Sequence, residues 1–246
     1  MLPPAVAEAF AGYPAPVRWV ASTPSTQDVA RAWAAEGARH GAVVLAGRQE
    51  AGRGRLGRSW VGAEGNLAMT VVLRPAQLGW PSSRLGLLNL AAAVAVAQAA
   101  PGLGIKWPND LLLPDGRKVA GLLAEAEFGG GRAKVVLVGV GVNVASAPWP
   151  GSGCLADLGG AWDPRVLAAQ IASRMLEQLA LGPDAVIEAW TRRNITLGRR
   201  VRVGQVEGFA EQLAADGALG LRLDDGERYW VHAGDVALVG RLEDRL

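Results

Sequence analysis

Residues 118–144 read KVAGLLAEAEFGGGRAKVVLVGVGVNV. Two long apolar runs, Val119 to Phe128 and Ala133 to Val144, flank Gly129-Gly130-Gly131, and that pattern predicts an antiparallel hairpin. Upstream, Ala42 to Gly47 and Asn66 to Leu73 predict buried strands. Shorter pieces, Gly104 to Trp107 and Leu111 to Leu113, flank the polar turn Pro108-Asn109-Asp110. Ser25 to Ala38 predicts the first helix, with Ser25 and Asp28 as a capping-box-like pair. Ser82 or Ser83 predicts the cap of a long Ala/Leu helix reaching about Ala99. Beyond the hairpin, a Pro/Gly/Ser loop from about Ala145 to Gly160 leads to Asp163-Pro164, an N-cap and first-turn proline. That helix runs to about Leu179, and another spans Asp184 to Arg193. After Leu197-Gly198, short Val/Leu strands alternate with the turns Asp216-Gly217 and Asp225-Gly226, the texture of a small barrel. We expect an α+β chain: a body at residues 1–196 and a small β-barrel at residues 197–246.

Composition narrows the function classes. The 246 residues are 50% hydrophobic and 20% charged, which fits a globular chain rather than a disordered one. A net charge of +2 argues against a surface that coats a polyanion, and the single Cys154 excludes an internal disulfide or a cysteine-rich zinc site. His40 and His232 are too few for a histidine cluster. The charge-free stretch Leu87 to Ala100 falls short of the roughly 20 apolar residues a membrane span needs. With no basic-then-apolar leader, the expectation is a soluble, cytoplasmic chain. Fewer than 25 residues precede the first predicted helix, too few for a helix-turn-helix domain, so no DNA reading by that route is expected.

Four stretches carry chemistry. Gly52-Arg53-Gly54-Arg55-Leu56-Gly57-Arg58-Ser59-Trp60 alternates flexible backbone with guanidinium groups suited to carboxylate or phosphate, and Trp60 can stack on a flat ring. Like-charge repulsion and glycine entropy predict a loop that orders over an anionic ligand. It is neither a Walker A loop nor a Rossmann fingerprint, because no Lys follows its glycines and none of them opens a helix. An RNA-brushing Arg-Gly segment is the competing reading. Lys106-Trp107-Pro108-Asn109-Asp110 presents Asn and Asp from a proline-restricted turn, although an ordinary turn has the same composition. Lys118 enters an apolar strand three residues before Gly121, which suits either close ligand approach or an edge-guarding lysine. Gly139-Val140-Gly141-Val142-Asn143 ends a strand in Asn.

Taken in order, Gln49 with Gly52-Arg53-Gly54-Arg55, the Lys106–Asp110 pentad, Lys118-x-x-Gly121 and Gly139-x-Gly141-x-Asn143 resemble the motifs of biotin–protein ligases. Ser25-Thr26-Gln27 is similar to the family's first biotin-contacting segment, whose third position is more usually Asn. The resemblance covers about residues 20 to 145 and continues weakly to Gly234-Asp235-Val236. It is to the form without the N-terminal DNA-binding repressor domain.

The resemblance implies a class II aminoacyl-tRNA synthetase/biotin ligase-like catalytic domain, built on a mixed, mostly antiparallel sheet, with a C-terminal SH3-like β-barrel. It implies activation of biotin by ATP to biotinoyl-5'-AMP, with Mg²⁺, and transfer to one lysine of a biotin carrier domain of the acetyl-CoA carboxylase type. Ser25, Thr26, Gln27 and Gln49 would hold biotin, together with Gly52, Arg53, Gly54, Arg55, Lys118 and Gly121. ATP would meet Arg53, Arg55, Arg58, Lys118, Asn109 and Asn143, with Trp60 stacked on adenine. Lys118 and Arg55 would be catalytic, and Asp110 would either help hold Mg²⁺ or orient Lys118. Family members often form homodimers through exposed sheet edges. The rivals are a lipoate or octanoate ligase of the same fold and a non-enzymatic RNA-binding module.

Overall fold

The computed structural model describes residues 1–239, so 240–246, the end of the expected C-terminal unit, lie outside the described residues. The chain opens with α1 (Pro4–Ala9), β1 (Val17–Thr23), α2 (Thr26–Ala35) and β2 (Val43–Gln49). A short hairpin, β3 (Gly52–Arg53) and β4 (Ser59–Trp60), precedes β5 (Leu67–Leu73), α3 (Pro75–Leu78) and α4 (Leu87–Ala99). Next come β6 (Gly104–Lys106), β7 (Asp110–Leu112), and the long pair β8 (Lys118–Gly129) and β9 (Arg132–Val142). Helices α5 (Pro164–Ala180) and α6 (Pro183–Thr191) follow. The last strands are β10 (Arg199–Val203), β11 (Val206–Leu213), β12 (Leu219–Arg222), β13 (Arg228–Val231) and β14 (Val236–Leu238).

Seven strands form one sheet in the order β1-β2-β5-β9-β8-β7-β6. Only β1 and β2 run parallel in it, so the sheet is mixed and mostly antiparallel as expected. Period-2 alternation splits its side chains between two cores. On one face α2 places Ala30 and Ala34 against Val44, Val72 and Leu137. On the other, α4 and α5 cover Leu45, Met69, Val71 and Val138, and α4 is apolar around nearly its whole circumference because it is enclosed by its neighbours.

Several expectations change. A helix and a strand, α1 and β1, precede the helix read as first. Ser25 does cap α2, its Oγ accepting from the Gln27 N–H at 3.3 Å, but Asp28 turns its carboxylate to arginines instead of completing a box. Neither Ser82 nor Ser83 caps α4: residues Ser82–Arg84 form a separate 3₁₀ turn, and α4 begins after Gly86. Glycine is a poor helix former, and a Cβ on Gly86 would lie 2.8 Å from the Asp216 carbonyl, so the break lies where the second sheet packs. That second sheet is five-stranded and antiparallel, in the order β13-β12-β11-β10-β14. Among the described residues β13 and β14 do not pair, so the expected SH3-like barrel is here an open sheet. No described helix is long and apolar enough to cross a membrane.

Asp163 caps α5 as expected, its side chain accepting from the Arg165 N–H at 2.8 Å. Asp163→Ala should lower the unfolding free energy by about 1 kcal/mol, read from denaturant melts. An unchanged midpoint and slope would show that the cap contributes nothing.

Candidate active site

Three glycines create the site's floor. Gly121 and Gly141 pair directly across β8 and β9, and Gly139 pairs with Leu123. Side chains would crowd this face: a Cβ on Gly141 would meet the Trp60 ring at 2.4 Å, and one on Gly121 would meet it at 2.9 Å. A Cβ on Gly139 would lie 3.0 Å from Gln27 Nε2. Trp60 therefore lies on bare backbone, with Lys118 Nζ 5.7 Å from its ring centroid.

Around this floor is a cleft of about 120 Å³. One end is neutral and polar. Gln49 Oε1 accepts from the Thr26 N–H at 2.9 Å and from Thr26 Oγ1 at 3.1 Å, while Thr70 Oγ1 donates to Thr26 Oγ1 at 2.8 Å. Gln27 is buried and donates from Nε2 to the Leu123 carbonyl at 3.0 Å, but its Oε1 is shielded and has no partner. A buried acceptor without a donor is costly, and it marks a place where a ligand N–H would fit.

The other end is cationic. Lys118, at the start of β8, places Nζ 2.6 Å from Asp110 Oδ1, an ion pair without the alignment of a good hydrogen bond. Lys106 lies 3.5 Å from the other Asp110 oxygen. The antiparallel register sets Asp110 opposite both Lys106 and Gly121, so two of the predicted motifs meet on adjacent strands. Asn109 follows the cis Trp107–Pro108 peptide; it donates to the Leu122 carbonyl at 3.0 Å and accepts from Arg55 Nη1 at 3.1 Å. Burial pushes the Arg55 guanidinium below its ordinary pKa.

The arginine loop is a folded hairpin, β3 paired with β4 around a 3₁₀ turn at Arg55–Gly57. Gly52 is required by packing, since a Cβ there would meet Gln49 Nε2 at 2.3 Å and the Trp60 carbonyl at 2.5 Å. At the tip, Leu56 is exposed and left-handed at φ 55°. The expected repulsion among the arginines is offset by a separate carboxylate for Arg53 and for Arg58, while Arg55 bonds only the neutral Asn109. Arg53 makes a two-pronged pair with Asp28, at 2.8 and 2.7 Å, and Arg58 pairs with Asp235 at 2.8 Å. The Arg53 guanidinium holds Asp28 below the usual carboxylate pKa, and Asp28 raises Arg53 in return.

The structure thus gathers Ser25, Thr26, Gln27, Gln49, Arg53, Gly54, Arg55, Arg58, Trp60, Asn109, Lys118 and Gly121 around one cleft. Gly52 and Asp110 stand just behind its wall. Asn143 does not line it: the side chain is buried and donates to the Gly153 carbonyl at 3.0 Å, bracing the loop after β9. Met69, Leu122 and Val140 line the cleft without having been singled out, because in sequence they are ordinary strand residues. Asp28 and Asp235 were also missed as arginine partners, since nothing local marks a carboxylate that pairs across 25 or 177 positions.

Comparison with known proteins gives the family. The Biotin/lipoate A/B protein ligase family matches residues 19–143, and the Biotin protein ligase C terminal domain matches residues 196–239. A biotin–[acetyl-CoA-carboxylase] ligase of Paracoccus denitrificans is 38% identical over 212 residues, 76% of this chain and 87% of the relative. One from Mycobacterium tuberculosis is 38% identical over 246 residues, 88% of this chain and 86% of the relative. The chain belongs to the biotin–protein ligase family. A solved structure of the Aquifex aeolicus biotin protein ligase in complex with biotin and ATP superposes with a TM-score of 0.74 at 25% identity, covering 91% of this chain and 98% of that one.

In this ligase-family chain, Asp28 clips the arginine hairpin to the helix that carries Thr26 and Gln27. Limited proteolysis of residues 52–60 should be faster in Asp28→Ala and in Arg53→Ala. The double variant should be little worse than either single one, with a coupling of about 0.5–1 kcal/mol. Additive effects would show that the pair does not hold the loop.

Proposed function

We propose that the cleft activates biotin and passes it on as an acyl group. The chain is an ATP-dependent, AMP-forming biotin–[acetyl-CoA-carboxylase] ligase: it converts biotin and ATP to biotinoyl-5'-AMP and pyrophosphate, then transfers the biotinoyl group to a lysine of a biotin carrier domain. The observation that carries this reading is a single cleft in which neutral amides at one end face Arg55 and Lys118 at the other. A carboxylate and a polyphosphate repel each other, and fixed cations at their junction offset that repulsion most as charge develops in the transition state.

Each residue takes a role on chemical grounds. Gln27 Oε1, without a donor, accepts from the ureido N–H of biotin, and Ser25, Thr26 and Gln49 complete the neutral wall. Gly121 lets the acyl chain approach the backbone, and Gly52 and Gly54 shape the hairpin over it. Arg55, whose hydrogen bond goes to a neutral amide, takes the biotin carboxylate and α-phosphate without displacing a carboxylate. Lys118 bridges the same two groups. Arg53 supports the closed hairpin through Asp28 and reaches the ligands only by leaving that pair. Arg58 takes the departing pyrophosphate, which it reaches only by leaving Asp235. Trp60 stacks on adenine and Asn109 fixes Arg55.

Mg²⁺ enters as part of the ATP substrate. Among the described residues no cluster of three His, Cys, Asp or Glu side chains forms to hold an ion, and both Asp110 oxygens face ammonium groups. We therefore assign Asp110 to orienting Lys118 and leave the ion to the phosphates. Within the same reading, residues 1–196 form the catalytic domain and 197–246 a small C-terminal domain. The acceptor is a carrier domain of acetyl-CoA carboxylase type, the reaction is cytoplasmic, and two copies pair along an exposed sheet edge. A lipoyl or octanoyl chain brings no N–H to Gln27, so the lipoate ligase alternative leaves that acceptor unsatisfied.

Lys118→Ala and Arg55→Ala should each slow biotin-dependent ATP–pyrophosphate exchange about a hundredfold or more while circular dichroism stays that of the wild type. Exchange at wild-type rates in a folded variant would remove that residue from the mechanism. Gly141→Val should raise the KM for ATP by displacing Trp60, with little change in the KM for biotin; equal changes in both would overturn the stacking role.

A further inference from the structure

A second cleft, of about 240 Å³, lies beside the first, between α4, the Trp107–Pro108 turn and residues 216–218 of the turn that joins β11 to β12. The two clefts share Arg55, Leu122 and Leu123 as a common wall. None of the roles assigned to biotin or ATP uses the second one.

Its chemistry changes from rim to junction. At the rim stand the half-buried Asp216 and the exposed His232, with His232 Nδ1 3.3 Å from the Asp216 carboxylate. Inside, Leu90 and Trp107 are buried and apolar. Asn89 donates from Nδ2 to the Pro108 carbonyl at 3.0 Å, and its Oδ1 is shielded from solvent with no partner. At the junction with the first cleft stands Arg55.

We propose that this second cleft admits the acceptor lysine side chain to the acyl-adenylate held in the first. The proposal rests on the ligase reading and adds a route for the second substrate. A lysine ammonium has donors only, and it is drawn to the Asp216 carboxylate at the rim. Asn89 Oδ1 is an acceptor without a donor, so a nitrogen passing it makes a bond that the chain itself leaves unmade. Apolar walls and the neighbouring Arg55 guanidinium then disfavour the charged form, so the nitrogen loses a proton to solvent and arrives as a nucleophilic amine. The amine nitrogen bonds to the biotinoyl carbonyl carbon, and the bond from that carbon to the phosphate oxygen breaks. AMP leaves with the electron pair, and the nitrogen releases its second proton to solvent.

The test separates the two half-reactions in the full chain. Asn89→Leu removes the acceptor together with the donor to the Pro108 carbonyl, and Asp216→Asn, which leaves that turn untouched, removes the rim charge while keeping the oxygen that accepts from the Ala218 N–H. Three rates are measured: ATP–pyrophosphate exchange, transfer from preformed biotinoyl-AMP to a biotin carrier domain, and capture of the same adenylate by hydroxylamine. Exchange and hydroxylamine capture should stay within about twofold of wild type. Transfer to the carrier should fall about tenfold, through a raised KM for the carrier. Unchanged transfer in both variants would overturn the proposal, and so would a parallel fall in exchange, which would give the cleft to the nucleotide or its phosphates. No exchange in the wild type would instead defeat the ligase reading itself.

Discussion

The site depends on a stretch of sheet with no side chains. Protein interiors are packed too densely to leave room on the face of a strand, so space for a ligand and for Trp60 exists only where Cβ atoms are missing. Gly121 and Gly141 supply it by lying opposite each other, and Gly139 extends it under Gln27. The hairpin register is therefore a functional quantity. A slip of one residue would turn the glycines to the far face and put valines under the tryptophan. The two apolar cores on either side of the sheet hold that register in place.

Charge is distributed around the bare face in a graded way. Arg53 and Arg58 each have a carboxylate, and Lys106 and Lys118 share the single carboxylate of Asp110. Arg55 is half-buried and hydrogen-bonded to a neutral amide. Exposed ion pairs are weak, so the outer arginines hold the hairpin closed without locking it. The inner cations keep net positive charge where two anions must meet. The hairpin thus belongs to three parts of the chain at once: α2 through Asp28, the proline turn through Asn109, and the second sheet through Asp235.

The strand pattern of the hairpin, the caps at Ser25 and Asp163, and the change of texture near Leu197 could all be read along the chain, because each rests on contacts within a few residues. The start of α4 and the closure of the last sheet could not. The first depends on a backbone approach from Asp216, and the second on which edge strands meet in space. The motif residues were legible as a set because their order along the chain resembles that of one family, whereas each stretch taken alone has an ordinary reading as well. Asn143 was read as part of the cleft, yet its side chain turns to brace Gly153, a choice made by the loop that folds over it.

By itself the sequence determined where most of the strands and helices form and which residue types could hold an acid, a phosphate and a flat ring, since those properties belong to single side chains and their near neighbours. Tertiary structure alone decided which cation faces the cleft and which is spent on a carboxylate. Arg53, Arg55 and Arg58 are alike in sequence, and they differ only because Asp28, Asn109 and Asp235 come to them from distant parts of the chain.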